Sequence, residues 1–111
     1  MDRERERVIA ANEALSRRVN EGIERGQWPG EEDRPAAYHC ECARPDCNRL
    51  IELTPRAYEA VRDNPRRFVV APGHVESDVE TVVETAPNYL VVEKHGTAGR
   101  VAEARDPRDP S

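Results

Sequence analysis

The amino-acid sequence predicts a small α+β domain, in which a long N-terminal helix precedes an antiparallel sheet of three or four strands carrying one helix. Three observations lead to this fold class. The chain has 111 residues, which is room for one hydrophobic core. Residues 3–25 repeat apolar side chains at helical spacing. The rest alternates short segments rich in Val, Leu and Thr with turns that contain Pro or Gly.

The composition leaves little material for a core. Hydrophobic residues make up 37% of the chain, aromatic residues 5% and charged residues 35%. Small domains of this kind usually need a metal ion or a disulfide as an additional stabiliser. The composition therefore directs attention to the cysteines.

The charge and hydropathy pattern limits the function classes. A formal net charge of −5 disfavours binding to phosphate backbones, so a nucleic-acid partner is possible but not favoured. No apolar run approaches the roughly 18 residues of a membrane span, and no membrane association is expected. The first residues alternate in charge and lack the apolar stretch of a signal peptide, from which we expect a reducing, cytoplasmic location.

The N-terminal helix carries a narrow apolar stripe on a charged rod. Its members are Val8, Ala11, Leu15, Val19 and Ile23, spaced three or four residues apart. Such a stripe is expected to dock on a domain or on a partner helix. We therefore predict a protein partner, or self-association, through this helix.

The chain divides into four predicted segments. Residues 1–26 form the helix and residues 27–37 a linker rich in Pro, Gly and acidic side chains. Residues 38–104 form the α+β domain, and residues 105–111 are charged, broken by prolines and expected to be disordered. Trp28 is predicted to close the small core as a lid, with an exposed partner-binding side chain as the alternative.

The domain itself shows five regular elements. Strands are predicted at 49–53 and 67–71, with a helix between them over 55–64 that a Thr-Pro pair begins. Residues 79–85 fit a helix or a strand. Their Val and Thr content, and a hairpin loop leading to a strand at 89–94, favour the strand.

The strongest chemical signal is a cluster of all three cysteines, Cys40, Cys42 and Cys47, in the pattern C-x-C-x4-C. Three thiols cannot all pair as disulfides, and a reducing compartment favours thiolate ligands. A turn at residues 45–46 would return the third cysteine to the first two. Zn²⁺ prefers four sulfur and imidazole ligands in a tetrahedron. We therefore predict a structural zinc site; redox use of the C-x-C pair and an iron–sulfur cluster are weaker alternatives.

The fourth ligand must come from elsewhere. We favour His74, because the Pro-Gly turn before it fixes the backbone at the end of a core strand. His39 is adjacent to the first cysteine, and neighbouring residues rarely bind one ion. His95 is expected to be exposed at the end of the last strand. Asp46, Glu41 or a water molecule stay open as alternatives.

The remaining motifs do not favour catalysis. No phosphate-binding or dinucleotide-binding glycine loop and no Ser-His-Asp arrangement is present in the sequence. Four available ligands favour a closed structural site over a catalytic one with an open position. Arg44 and Arg49 flank the cysteines and could offset the site's net charge of about −1.

Three segments of the chain carry a further signal, namely VNEGIERG, CECARPDCNRLIELTPRAYEAVRDNPRRFVVAPGH and YLVVEKHGTAG. Over roughly residues 12–108 the chain resembles a family of small actinobacterial proteins without an established activity. Cys40, Cys42, Cys47 and His74 match the family's C-x-C-x4-C and PGH positions, whereas AYE replaces its usual EYE around Tyr58. The resemblance implies a metal site and no mechanism.

These observations predict a non-enzymatic, zinc-stabilised module that acts through protein interaction or regulation. A nucleic-acid- or ribosome-associated zinc protein is the first alternative, on account of the arginines near the cysteines and the second helix. A zinc- or thiol-dependent enzyme is the second.

Overall fold

The computed structural model describes residues 3–44 and 46–108, with nothing described for the side chain of Arg3. Within these ranges it contains three helices and five strands. In chain order they are α1 (Arg3–Arg25), β1 (Ala36–His39), β2 (Leu50–Leu53), α2 (Pro55–Arg62), β3 (Arg67–Val70), β4 (Glu80–Thr85), β5 (Leu90–Lys94) and α3 (Gly96–Ala104). The predicted α+β class with a long N-terminal helix is confirmed.

The strands form two antiparallel sheets. Strands β1 and β2 make one hairpin, and the other sheet has the order β3-β5-β4 with β5 in the centre. Residues 80–85 are a strand, as the Val and Thr content predicted. The hairpin from β4 to β5 is closed where the backbone N–H of Ala86 donates to the carbonyl of Tyr89 over 2.9 Å.

Two elements were not predicted, namely β1 and α3. Strand β1 follows the proline-rich segment directly and pairs with β2 along its whole length. Helix α3 packs on α1 and on β5. It lies close to the sheet at Gly99, where a Cβ would stand 3.1 Å from the carbonyl oxygen of Lys94.

The main core lies between β3, β5, α2 and the β1–β2 hairpin. Phe68, Val69 and Val70 of β3 are all buried. The rings of Tyr38 and Tyr58 stack with their centroids 4.6 Å apart. Helix α2 begins as predicted, because the Thr54 hydroxyl accepts a hydrogen bond from the backbone N–H of Ala57.

Helix α1 docks on this core through its polar side. Glu13, Arg17, Asn20 and Glu21 are buried, whereas Val8, Leu15 and Val19 are 52%, 60% and 53% exposed. Only Ile23, at the end of the predicted stripe, packs against the main core. Of the two predicted roles of the stripe, docking on the domain is therefore wrong for its exposed members, and docking on a partner helix stays a prediction. Periodicity located the stripe and could not show which face of the helix is covered.

A buried charge triad holds the middle of α1. The ammonium group of Lys94 contacts the carboxylates of Glu13 and Glu80, and all three side chains are essentially inaccessible to water. Two buried carboxyl groups thus share one ammonium partner. Burial is the main reason that the pKa of Glu13 rises to about 7, although the charge of Lys94 opposes the rise.

Two buried arginines, Arg17 of α1 and Arg62 of α2, also connect α1 to the core. The Arg17 guanidinium lies 3.6 Å over the ring of Phe68 and donates to the carbonyls of Pro65 and Arg67. The Arg62 guanidinium donates to Glu21 over 2.5 Å. Helix α1 is thus fixed by hydrogen bonds to strand and helix ends.

The segment predicted to be disordered contributes to the same charged network. Asp106 pairs with the buried Arg62, and Arg108 contacts Glu21 and Glu59. Residues 109–111 of this segment lie outside the described residues.

Trp28 is 75% exposed, so the prediction that it closes the core is wrong. It borders an open groove of about 430 Å³ whose wall includes Glu24, Glu32 and Glu59. No helix in the described part of the chain has an apolar stretch long enough to cross a bilayer.

The buried triad predicts a specific pH dependence of stability. The folded-state pKa of Glu13 lies above its ordinary value of 4.5, so the protonated form favours the folded state. This contribution is complete below the ordinary pKa and is lost as the pH rises through about 7. We expect the free energy of unfolding to fall by about 2–3 kcal/mol across that window because of this group. Denaturant titrations of the wild type and of Glu13→Gln at several pH values measure it. An identical pH profile in the two proteins would contradict the assignment.

Candidate metal centre

The candidate metal centre lies where two loops meet at one end of the core. Cys40 and Cys42 follow β1, and Cys47 precedes β2 in the same hairpin loop. The backbone N–H of Cys40 donates to Arg49 over 2.9 Å, which continues the hairpin. The next N–H, that of Glu41, donates to Val69 over 2.8 Å. The cysteine loop is thereby fastened to β3.

The loop after β3 delivers His74. Its backbone N–H donates to the carbonyl of Ala71 over 3.0 Å, closing a tight turn. Gly73 within the turn has φ +85°, a conformation that glycine adopts without steric cost. The Arg44 guanidinium donates to the Gly73 carbonyl over 3.1 Å and so links the two loops. The side chain of Arg49, the other flanking arginine, is exposed.

The structure brings Cys40, Cys42, Cys47 and His74 together. Their four donor atoms all lie within 4.8 Å of one another. The His74 Nδ1 atom is 3.6 Å from the Cys40 Sγ and 3.7 Å from the Cys47 Sγ. A tetrahedral zinc ion with its usual bond lengths separates sulfur and nitrogen ligands by roughly 3.6 Å. The donor set and its spacing therefore fit Zn²⁺, while ligation by these four residues stays a prediction.

Hydrogen bonds to the cysteine sulfurs favour negative charge on these atoms, which suits a bound cation. The backbone N–H of Ala71 donates to the Cys40 Sγ over 3.1 Å. A hydrogen bond from the Cys40 thiol is the largest reason that the pKa of Cys42 falls to about 4, and the backbone N–H of Arg44 also lowers it. The same thiol–thiolate contact, together with burial, raises the pKa of Cys40. These contacts favour the thiolate form of Cys42, which is the metal-binding form.

The alternative fourth ligands lie apart from this group. The His39 Nε2 is 2.9 Å from the carbonyl of Cys47, where it supports the loop from outside. Asp46 and His95 have exposed side chains. Among the described residues, the group of four donors includes none of these three, nor Glu41.

Glu41 has a structural role that was not predicted from the sequence, where this residue was an alternative ligand only. Its side chain is completely buried. The carboxylate accepts hydrogen bonds from the Asn20 Nδ2 over 2.9 Å, the Tyr58 hydroxyl over 3.0 Å and the backbone N–H of Val69 over 2.9 Å. Successive residues of extended chain point to opposite sides. A residue between two cysteine ligands should therefore face the core, and this signal was available in the sequence.

Helix α1 contacts the same loop. The side-chain amide of Asn20 receives a hydrogen bond from the backbone N–H of His39 over 2.6 Å and donates to the His39 carbonyl over 2.7 Å. The Asn12 amide donates to the carbonyl of Ala43 over 3.1 Å. The segment that carries the first two cysteines is thus held between α1 and β3.

Removal of the Glu41 carboxylate should destabilise the fold. Glu41→Ala leaves three buried donors without an acceptor, and we expect a loss of about 3 kcal/mol in the free energy of unfolding. Glu52→Ala is the matched control, since Glu52 is exposed on β2. Chemical denaturation measures both variants. Equal stability of the two variants would show that the buried carboxylate has no structural role.

Comparison with known proteins gave no match: no family model, no curated protein and no solved structure is similar to this chain at a significant level. The resemblance to small actinobacterial proteins therefore stays a hypothesis, and the functional argument depends on the site itself.

Proposed function

We propose that Cys40, Cys42, Cys47 and His74 bind one Zn²⁺ ion, and that this ion stabilises a small, non-enzymatic protein-interaction module. The observation that carries the proposal is the convergence of the His74 Nδ1 on two cysteine sulfurs at 3.6 and 3.7 Å. A hydrogen bond could bring one thiol to an imidazole, but three thiols and an imidazole in one group exceed what a single such pair requires. A shared cation would account for the whole group.

The proposed ion would supply structural cross-linking. It would join the loop after β1 to the turn after β3, where Cys47 and Cys40 lie 27 and 34 residues from His74 in the sequence. Such a cross-link lowers the entropy of the unfolded chain, and its binding energy adds to the folding energy. A chain with 37% hydrophobic residues benefits from this contribution.

A structural role is favoured over a catalytic one by the number of donors. Four protein atoms converge, and this leaves no tetrahedral position for water or substrate. Cys40 and Cys42 are buried, so the side of the site that faces solvent consists of Cys47 and His74. The cysteines form no disulfide, which suits the proposed cytoplasmic location.

A nucleic-acid-binding function receives little support from the arginines at the end of α2 and after it, although Arg44 and Arg49 near the cysteines are exposed. The Arg62 guanidinium is buried against Glu21, and Arg66 and Arg67 pair with Glu103 and Glu93. Paired guanidinium groups are poor phosphate ligands because binding must first break their ion pairs. An interaction with protein is therefore the better proposal.

Metal removal provides the direct test of the zinc site. Native mass spectrometry of the untagged chain should show one zinc ion per chain. Chelation, Cys42→Ser and His74→Ala should each lower the melting temperature by roughly 10 °C or more, because a structural metal contributes several kcal/mol. His95→Ala is the matched control, since this exposed histidine lies outside the site. A metal-free chain that melts at the same temperature would contradict the proposal.

Cobalt substitution tests the closed coordination. A Co²⁺ ion bound by three thiolates and one imidazole should show the intense visible absorption of a four-coordinate site, and added anions should leave the spectrum unchanged. A spectrum that changes with anions would indicate an open position and favour the enzymatic alternative.

A further inference from the structure

The outer face of α1 carries an apolar stripe that nothing in the described chain covers. Val8, Leu15 and Val19 are all more than half exposed. At 3.6 residues per turn these three side chains lie on one line along the helix. The same geometry puts them opposite the buried Glu13, Arg17 and Asn20, which are the residues that fix α1 on the core.

This arrangement partly inverts the usual amphipathic helix, since α1 buries Ile9, Ala10 and Ala14 as well as its polar side chains. A helix on the surface of a small domain normally buries its apolar face and leaves charged side chains in water. Here the polar side chains are buried and hydrogen-bonded, while two valines and a leucine face solvent. An apolar surface of this kind commonly marks an interaction site. The stripe therefore indicates a binding partner, and the charged residues beside the stripe indicate the chemical class of that partner.

One edge of the stripe is lined by positive charge. Arg7, Arg18 and Arg25 are exposed and lie along the same edge of α1, eleven and seven residues apart. Within residues 3–44 and 46–108 none of the three makes an ion pair. Arg100 of α3 lies beside Arg7 in the shallow groove between the two helices and adds to this charge. Glu4 is an opposing charge near the start of the helix.

The charge pattern argues against two occupants. A second copy of the chain would bring two rows of unpaired arginines together, and like charges across an interface are unfavourable. An anionic lipid surface normally takes a wider apolar face with aromatic side chains, whereas this stripe is narrow and aliphatic. The net charge of −5 on the whole chain would oppose such a surface as well.

We propose that the outer face of α1 binds an acidic amphipathic helix of a protein partner, whose apolar side chains pack on Val8, Leu15 and Val19 and whose carboxylates pair with Arg7, Arg18 and Arg25. The spacing of the three apolar residues matches the anchors of helix–helix recognition. The proposal names the partner class for the proposed interaction module. It depends on the docked position of α1 and not on the identity of the metal.

Two synthetic helical peptides test the proposal on the full chain as purified. Both carry leucines three and four residues apart; one has glutamates along both edges of the leucine row and the other has lysines. Fluorescence anisotropy of the labelled peptides should show binding of the glutamate peptide that is on the order of tenfold tighter or more at low ionic strength. The preference should shrink in high salt, because these charges are exposed.

Variants assign the binding to this face. Leu15→Asp should weaken binding of the glutamate peptide on the order of tenfold or more, and the exposed position should leave the melting temperature unchanged. Val83→Asp is the matched control, since Val83 is an exposed valine on β4. Replacing Arg7, Arg18 and Arg25 together by glutamate should reverse the preference between the peptides. Arg105→Glu is the control: it changes an exposed arginine after α3 and should leave the preference between the peptides unchanged.

Four results would overturn the proposal. These are binding of neither peptide, equal binding of both, binding to anionic phospholipid vesicles in preference to the glutamate peptide, and a dimer in sedimentation that Leu15→Asp dissociates. Native mass spectrometry of the same sample reports the metal content separately. The zinc site and the helix surface can thus fail independently.

Discussion

The carboxylate of Glu41 is the contact on which the rest of this structure depends. It lies on the chain between two of the clustered cysteines, so its orientation fixes theirs. It accepts one hydrogen bond from each of α1, α2 and β3. A buried carboxylate with three donors is costly to rearrange, because any other position would leave several buried groups unpaired. The helix, the sheet and the cysteine loop therefore have one mutual arrangement that satisfies all of them.

Buried polar contacts also fix the position of α1 along the rest of its length. An apolar helix can shift on its support at modest cost, whereas hydrogen-bonded side chains require one register. Here Glu13 forms an ion pair with Lys94, and Glu21 forms one with Arg62. The Asn20 amide donates a hydrogen bond to the backbone carbonyl of His39. Burial lowers the pKa of Arg17 to about 10, and the negative charge of the Glu41 carboxylate opposes this lowering. The guanidinium therefore keeps its positive charge at neutral pH. A chain poor in apolar residues thus obtains a unique arrangement from polar contacts.

The sequence was informative where a local signal dictates the structure. The Thr-Pro cap specifies the start of α2, and the Val and Thr content specifies β4. The cysteine spacing and the Pro-Gly turn before His74 identified a group of donors that the fold brings together. Each of these depends on a few neighbouring residues.

The sequence was uninformative where the structure depends on contacts between residues that are far apart in the chain. The Glu13–Lys94 contact joins positions 81 residues apart, so no local pattern could show that a charged face of α1 is the buried one. Strand β1 is only four residues long and forms by pairing with β2. Helix α3 begins without a side-chain cap and contains Gly99, so its stability comes from packing on α1 and β5.

The polar underside of α1 also determines what happens when the helix separates from the core. Its larger buried polar side chains are two carboxylates, one amide and one guanidinium, and its buried apolar ones are Ile9, Ala10 and Ala14. Water can solvate the former, and the latter expose little hydrocarbon. A molecule with α1 transiently lifted would therefore expose a mostly polar helix face, and on the core side it would uncover the ring of Phe68 that Arg17 covers.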